Sequence, residues 1–293
     1  VRAYLARTSA FYPPDAVNLS ISQQRAVYDR MCRAFDAPHP PGMATHNCEM
    51  GGVSCRVYTP RTVAADRAIL FCHGGGFVVG GLHSHDSVCA DLADSACARL
   101  IAVDYRLSPE HPFPDDFNDV LAVYRTICEG TDDTLILCGD SAGGNLVAAL
   151  AHVARADGRI AGQVLIYPAL GGARDLPSYA DHSKAPGLTT QDMDFYENIR
   201  RNGQNIAADP RFAPLADTDF AGLPPTLVVT AECDPLASDG PAYAAAIREA
   251  GGTATCIQEA GLVHGFLRAR HMSAKAADSF ARIGTALRDM TRT

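Results

Sequence analysis

The sequence contains no tryptophan among its 293 residues, and aromatic residues make up only 7% of it. It also lacks any apolar run near the ~18 residues that a membrane-spanning helix needs, any basic cluster, and the uninterrupted apolar core of a signal peptide near residue 1. The formal net charge of −8 does not favour binding to nucleic acid or anionic lipid. We therefore expect a cytoplasmic protein with neither a nucleic-acid nor a membrane partner.

The ten cysteines and the histidines give little support for disulfides or a metal centre. No C-x-x-C pair occurs, and cysteines such as Cys72 and Cys138 lie inside apolar runs, which favours buried, reduced thiols. The histidines at 83, 85 and 111 lack a carboxylate or cysteine companion at ligand spacing. We expect no metal and no cofactor.

Strand-like and helix-like segments alternate along the chain. Continuous apolar strands between helices are typical of a mostly parallel sheet covered on both faces, so we predict a doubly wound α/β domain. The predicted strands are 53–59, 68–72, 100–104, 134–138, 162–167, 226–231 and 254–258. The predicted helices are about 84–98, 115–129, 142–156, 240–250 and 273–290, with Ser84 and Ser273 as N-cap residues.

Two segments interrupt this alternation. Residues 1–45 are partly helical and end in a proline-rich stretch, and residues 171–213 separate two strands. Insertions in open α/β sheets lie above the carboxyl ends of the strands, where ligands bind. We therefore predict an N-terminal cap segment over 1–45 and a catalytic domain over 46–293 with a cap insertion at about 171–213. Phe77 is the expected substrate-binding residue beneath this cap.

The stretch GDSAGG at 139–144 places Ser141 between glycines, after an apolar strand and before a helix. This G-x-S-x-G pattern is typical of a nucleophile elbow, in which glycines permit a sharp turn and the hydroxyl is held outward. A turn of small residues that only packs a helix against a strand would have the same sequence pattern. A GDS-type lipase motif normally lies near the start of a chain and lacks this glycine spacing.

A serine nucleophile needs a base and an orienting acid, which follow in the order serine, acid, histidine on this fold. Asp234 comes directly after the predicted strand 226–231, and His264 follows the predicted strand 254–258. Both would then lie at the strand ends beside Ser141. Glu232 and Asp239 are rivals for the acid, and we rank Asp234 first.

An oxyanion hole is expected from the loop that follows an early strand. Residues His73, Gly74, Gly75 and Gly76 follow the predicted strand that ends at Cys72. Consecutive glycines let backbone N–H groups converge on one ligand atom, and the N–H of Ala142 would supply a further donor.

Together these motifs resemble the hormone-sensitive lipase family of α/β-hydrolases, most closely its bacterial acetyl esterase branch. The resemblance covers nearly the whole chain and rests on HGGGF at 73–77, GGLHSHD at 80–86, VDYRLSPEHPFP at 103–114, GDSAGG at 139–144, LTTQDMDFY at 188–196, ECDPL at 232–236 and VHGF at 263–266.

The resemblance implies an α/β-hydrolase fold with a helical cap and hydrolysis of short-chain acyl esters by a serine carboxylesterase. It implies Ser141, Asp234 and His264 as the catalytic triad, and Gly75, Gly76 and Ala142 as oxyanion donors. It also implies supporting roles for His73, which shapes the oxyanion loop, for Glu110, which braces nearby loops, and for Gly74 and Asp140 within the two motifs.

Two alternatives to a carboxylesterase stay open at this point. The same residues serve hydrolases of amides, lactones or carbamates, and a relative without activity would use the pocket to bind a small ligand. Members of the family are often dimers, and the sequence carries no pattern that decides between a monomer and a homodimer.

Overall fold

The computed structural model describes residues 1–13, 19–64, 67–132 and 134–292. Eight strands form one sheet in the order β1-β2-β4-β3-β5-β6-β7-β8. The strands are β1 Ala44–Met50, β2 Val53–Thr59, β3 Ala68–Cys72, β4 Leu100–Val103, β5 Leu135–Asp140, β6 Ile160–Ile166, β7 Thr226–Cys233 and β8 Ala254–Val263. Strands β3 to β8 run parallel, whereas β2 pairs in antiparallel fashion with β1 on one side and with β4 on the other. The predicted doubly wound α/β fold is confirmed.

Nine α-helices connect or cover these strands within the described residues. They are α1 Arg2–Ser9, α2 Ile21–Ala34, α3 Asp86–Ala96, α4 Asp115–Gly130, α5 Ala142–Ala154, α6 Pro177–Asp181, α7 Thr190–Arg201, α8 Asp239–Glu249 and α9 Ala274–Arg292. Among these described helices, none combines the length and the apolar character that crossing a membrane would require.

The core lies on both faces of the sheet, as the continuous apolar strands predict. In β3, Leu70 and Cys72 join the core formed with α4, α5 and α8, whereas Ile69 and Phe71 join the core formed with α3 and α9. Successive side chains of a strand point to opposite faces, so a strand buried on both faces is apolar at every position. This packing holds the carboxyl ends of β3, β5, β7 and β8 together at one end of the sheet.

Two local predictions differ from the structure. Strand β1 was not expected, because its sequence ATHNCEM is polar and forms an exposed edge. Ser84 was expected to cap the next helix, but it lies in a short 3-10 turn over Leu82–Ser84, and α3 begins at Asp86. Ser84 bonds locally instead, its Oγ lying 2.8 Å from the carbonyl oxygen of Gly81.

Candidate active site

Ser141 lies at the turn between β5 and α5, where the backbone doubles back. Its φ of 54° and ψ of −118° place a non-glycine residue in a sparsely populated region. A Cβ on Gly143 would lie 2.0 Å from the carbonyl oxygen of Cys72, and a Cβ on Gly139 would lie 2.4 Å from that of Gly143. The turn therefore requires glycine on both sides of the serine, as the elbow pattern predicts.

The three residues proposed for proton transfer form one chain of hydrogen bonds. Nε2 of His264 lies 2.9 Å from Oγ of Ser141, and Nδ1 of His264 lies 2.7 Å from Oδ2 of Asp234. Asp234 is fully buried, and its Oδ1 accepts a hydrogen bond of 3.0 Å from the N–H of Leu236. This geometry lets the imidazole accept a proton from the serine while the carboxylate fixes the ring.

The rival acids do not reach the imidazole in hydrogen-bond geometry. Glu232 is exposed and accepts from the N–H of Gly261 at 2.6 Å. Asp239 is buried, and burial raises the pKa of its carboxyl from 3.8 to about 6. Its oxygens accept hydrogen bonds from the N–H groups of Leu170 and Gly172 and from the hydroxyl of Tyr179. Asp239 therefore holds the loop after β6 against the cap insertion.

The glycine loop after β3 adopts backbone conformations that L side chains rarely reach. Gly75 has a φ of +134° and Gly76 a φ of +59°. A Cβ on Gly75 would lie 2.0 Å from the carbonyl oxygen of Val79, and a Cβ on Gly76 would lie 2.6 Å from the ring of Tyr196. Gly76 and Ala142, the first residue of α5, line the same cavity as Ser141. The N–H groups at a helix start have no intrahelical acceptor and are free to bind an oxyanion.

A buried polar network fixes this loop. Asp140 accepts a hydrogen bond of 2.8 Å from the N–H of Gly74, and Nε2 of His85 lies 3.2 Å from the same carboxylate oxygen. Burial alone would raise the pKa of Asp140, but His85 and the Gly74 N–H lower it below its usual value. The Tyr105 hydroxyl donates to the carbonyl of His73 at 2.7 Å. Burial lowers the pKa of His73 to about 3, so this ring is neutral.

Glu110 lies on the surface and joins the loop after β4 to the N-terminal segment. Its carboxylate forms an ion pair of 2.6 Å with Arg25 on α2. The hydrogen bond from Arg25 lowers the pKa of Glu110. The same guanidinium donates to the carbonyls of Val78 and Ser108 at 2.8 and 3.0 Å. Arg25 thus ties α2 both to the end of the glycine loop and to the segment that carries Glu110.

A cavity of about 400 Å³ opens over Ser141. Its walls include Phe77, Ala142 and Asn145, and most of the remaining lining comes from residues 171–213. No described residue of 1–45 lines it. Residues of the predicted insertion thus border the ligand space, whereas the N-terminal cap segment stays a prediction. Within the described part of this segment, Arg25 contacts the loops that follow β3 and β4.

Helix α7 contributes a wall that sequence reasoning did not identify. The cavity-lining residues of α7 recur at helical spacing: Met193, Tyr196, Glu197, Arg200 and Arg201. The signal for this helix is a capping box, in which Thr189 accepts from the N–H of Asp192 and Asp192 accepts from the N–H of Thr189. The T-x-x-D pattern and the helical spacing of these residues are visible in the sequence. The sequence does not show which face of the helix lies against the cavity.

The histidines that invite a metal interpretation have separate carboxylate partners. His83 lies 2.8 Å from Asp29, and His111 lies 3.5 Å from Asp115. Across 1–13, 19–64, 67–132 and 134–292, no group of three or more His, Cys, Asp or Glu side chains is arranged to hold a metal ion.

A mostly parallel eight-stranded sheet with a serine held at a strand-to-helix elbow defines the α/β class of hydrolases. A family model described as the alpha/beta hydrolase fold matches residues 69–268. The chain belongs to this family, and its resemblance to the hormone-sensitive lipase branch is confirmed.

Named relatives and solved structures agree with this placement. Carboxylesterase NlhH of Mycobacterium tuberculosis is 34% identical over 242 residues, covering 78% of this chain and 76% of that protein. The ethyl acetate hydrolase of Pseudomonas putida is 34% identical over 244 residues, covering 79% of this chain and 77% of that protein. A Pyrobaculum calidifontis esterase structure is 30% identical with a TM-score of 0.88, covering 93% and 94% of the two chains.

Proposed function

We propose that this protein is a serine carboxylesterase that hydrolyses short-chain acyl esters through an acyl-serine intermediate. The observation that carries the proposal is the hydrogen-bonded series Ser141, His264 and Asp234 at the wall of a cavity beside the glycine loop. Relatives described as carboxylesterase and ethyl acetate hydrolase support the same reaction class.

In the proposed mechanism, His264 takes the proton of Ser141 as the hydroxyl oxygen attacks the ester carbonyl carbon. The oxyanion that forms accepts hydrogen bonds from the N–H groups of Gly75, Gly76 and Ala142. Collapse of this intermediate expels the alcohol, which takes the proton from His264. Water then attacks the acyl-serine with His264 as the base, which releases the acid and restores the serine.

Ser141→Ala tests this assignment. We expect kcat/KM for p-nitrophenyl acetate to fall by about 10⁴-fold or more, because the bond to the acyl group can no longer form. The variant should retain the wild-type circular dichroism spectrum and urea midpoint. Ser22→Ala, on an exposed part of α2, is the matched control and should keep full activity. A Ser141→Ala enzyme with a tenth of the wild-type rate would contradict the proposal.

The acyl-chain preference follows from the cavity. At about 400 Å³ it lies toward the small end of ligand pockets. Each methylene that cannot enter forfeits about 0.8 kcal/mol of transfer free energy. We expect kcat/KM on p-nitrophenyl esters to be highest for acyl chains of about two to six carbons and poor at about twelve. Highest activity on the longest chains would contradict the short-chain assignment. The cytoplasmic location and a homodimer stay predictions.

A further inference from the structure

One wall of the cavity holds a buried arginine. The Arg200 side chain is only 1% exposed, and its Nε forms an ion pair of 2.6 Å with the fully buried Asp116. Its Nη1 donates to the side-chain oxygen of Asn145 at 3.1 Å and to the carbonyl of Phe212 at 3.2 Å. Arg200, Asn145 and Phe212 all line the cavity. Three segments therefore hold this guanidinium rigidly at the edge of the ligand space.

The remaining nitrogen of this guanidinium has no acceptor. Nη2 of Arg200 is buried and has no hydrogen-bond partner among the described residues. On the next residue of α7, Nε of Arg201 is likewise buried and without a partner in the described part of the chain. A buried donor attached to a charged group costs more free energy when unpaired than a neutral one does. Two such donors, on adjacent cavity-lining residues, are therefore available to an acceptor atom of a ligand.

The charges around this wall identify the kind of acceptor. Asp116 balances Arg200, while Arg174 and Arg201 share Glu197, and Arg174 also pairs with Asp194 at 3.0 Å. Three cations thus face three carboxylates, and no excess positive charge is left to attract an anion. A neutral oxygen, as in a ketone, an ether or a hydroxyl group, satisfies the free N–H groups without placing a fourth negative charge in a buried site.

The position of Asn145, whose side-chain oxygen accepts from Nη1 of Arg200, indicates the part of the substrate in which that oxygen lies. Asn145 is one helical turn beyond Ser141, its N–H donating to the Ser141 carbonyl at 3.1 Å, and one turn of helix rises by about 5.4 Å. Resting on the function proposed above, we propose that Arg200 determines specificity for esters with a neutral oxygen acceptor about three to five bonds from the reacting carbonyl.

The guanidinium of Arg200 is surrounded by aromatic side chains, with the ring centroids of Phe212 and Phe113 at 4.8 and 5.3 Å from Cζ. The ring of Phe77 lies over the guanidinium, with 3.6 Å between Cζ and the ring centroid, and Phe77 itself lines the cavity. In this proposal a substrate oxygen reaches the free N–H groups by displacing the ring of Phe77, the nearest of the three. Because these donors have already lost their water, an incoming oxygen gains a hydrogen bond without the cost of drying them.

Matched ester pairs test the proposal on the wild-type enzyme. Ethyl levulinate and ethyl isocaproate differ by a ketone oxygen against a methyl group in the acyl half. Methoxyethyl acetate and butyl acetate differ by an ether oxygen against a methylene in the alcohol half. We expect the oxygen-bearing ester of at least one pair to have a kcat/KM about tenfold higher, the size of one hydrogen bond from a charged donor. Equal values in both pairs would overturn the proposal.

Arg200→Lys then assigns the preference to this residue. Lysine keeps the charge opposite Asp116 but lacks the second terminal nitrogen, so the ratio within the preferred pair should fall to near one. Arg211→Lys is the matched control, because Arg211 lies outside the cavity lining and pairs with Asp209 at 2.7 Å. A ratio unchanged by Arg200→Lys, or lost equally in Arg211→Lys, would contradict the role of Arg200.

Two further measurements keep the outcome decisive. If Arg200→Lys does not fold, the double variant Arg200→Met with Asp116→Leu is used instead. It replaces the ion pair by apolar side chains, a change that proteins with buried ion pairs often tolerate. This variant should also lose the preference for the oxygen-bearing ester. Monoethyl succinate tests an anionic substrate, and a higher kcat/KM for it than for ethyl levulinate would overturn the neutral-acceptor assignment. Hydrolysis of p-nitrophenyl acetate by the same preparations separates failure of this proposal from failure of the esterase function.

Discussion

The hydrogen bonds of Asp234 make its replacement by asparagine a sharp test of the proposed mechanism. Oδ1 of Asp234 accepts from the N–H of Leu236, and Oδ2 faces Nδ1 of His264. In Asp234→Asn, the Leu236 N–H selects the amide orientation that keeps an oxygen at the Oδ1 position. The amide NH₂ then points at Nδ1 of His264, which must become the acceptor. The ring proton moves to Nε2, where it faces Ser141, and the imidazole can no longer take the serine proton.

The expected loss of activity follows from the free energy needed to flip the new amide into the orientation that restores the productive imidazole tautomer. Flipping the amide restores the productive tautomer but leaves two buried donors unpaired, the Leu236 N–H and the amide NH₂. Each such group costs about 1–3 kcal/mol, so the productive form is disfavoured by about 2–6 kcal/mol. The variant also loses the charge that stabilises the imidazolium. We expect kcat/KM to fall by about 10³ to 10⁴, as the equivalent change does in a serine protease.

The assay is kcat/KM on p-nitrophenyl acetate, with the free energy of unfolding measured in urea to confirm a folded variant. Glu232→Gln is the matched control, because Glu232 is a nearby exposed acid whose carboxylate bonds only a backbone N–H in the described contacts. It should retain nearly full activity. A loss below about tenfold in Asp234→Asn, or a larger loss in Glu232→Gln, would refute the reasoning.

Three further changes have measurable outcomes. Gly143→Ala should prevent stable folding or abolish activity, since its Cβ would lie 2.0 Å from a strand carbonyl, whereas Gly130→Ala, with open space around it, should leave the urea midpoint unchanged or raised. Tyr4→Phe removes a hydrogen bond of 2.9 Å to the carbonyl next to His264 and should lower the free energy of unfolding by about 1 kcal/mol, with Tyr12→Phe as the control. Because burial raises the pKa of Asp239 from 3.8 to about 6, the folded protein binds more protons than the unfolded chain between these values. The Asp239 contribution to stability therefore falls as pH rises through that window, by up to about 3 kcal/mol, and comparing urea unfolding of wild type and Asp239→Asn at pH 4 and 6.5 should reveal the lost slope.

The strands that build the sheet were predictable because their burial leaves a direct mark on composition. The segment 68–72 is apolar at every position and coincides with β3, since both faces of that strand are covered. The same logic failed for β1, whose side chains are mostly exposed and include Asn47 and Glu49. An edge strand is held by backbone hydrogen bonds to β2, and backbone pairing leaves little trace in side-chain type.

The candidate catalytic residues were also readable, because their chemistry constrains the backbone around them. A serine at an elbow needs glycine at fixed offsets, as the clashes predicted for a Cβ at Gly139 and Gly143 demonstrate. Asp234 and His264 stand directly after strands, where the topology of a parallel sheet brings loops to one edge. Rules of this kind depend only on residues close together in the chain. They can therefore be applied to a single sequence without knowledge of the long-range packing.

Arg200 illustrates where such rules stop. On the polar, amphipathic helix α7, an arginine would ordinarily be assigned to the solvated face. Its burial depends on Asp116 in α4 and Asn145 in α5, which lie 84 and 55 residues away along the chain. Only the three-dimensional packing shows that the charge is compensated and that one nitrogen remains free. The proposed reaction chemistry is thus encoded locally around Ser141, whereas the proposed ester preference rests on contacts between distant segments and has to be derived from the cavity wall.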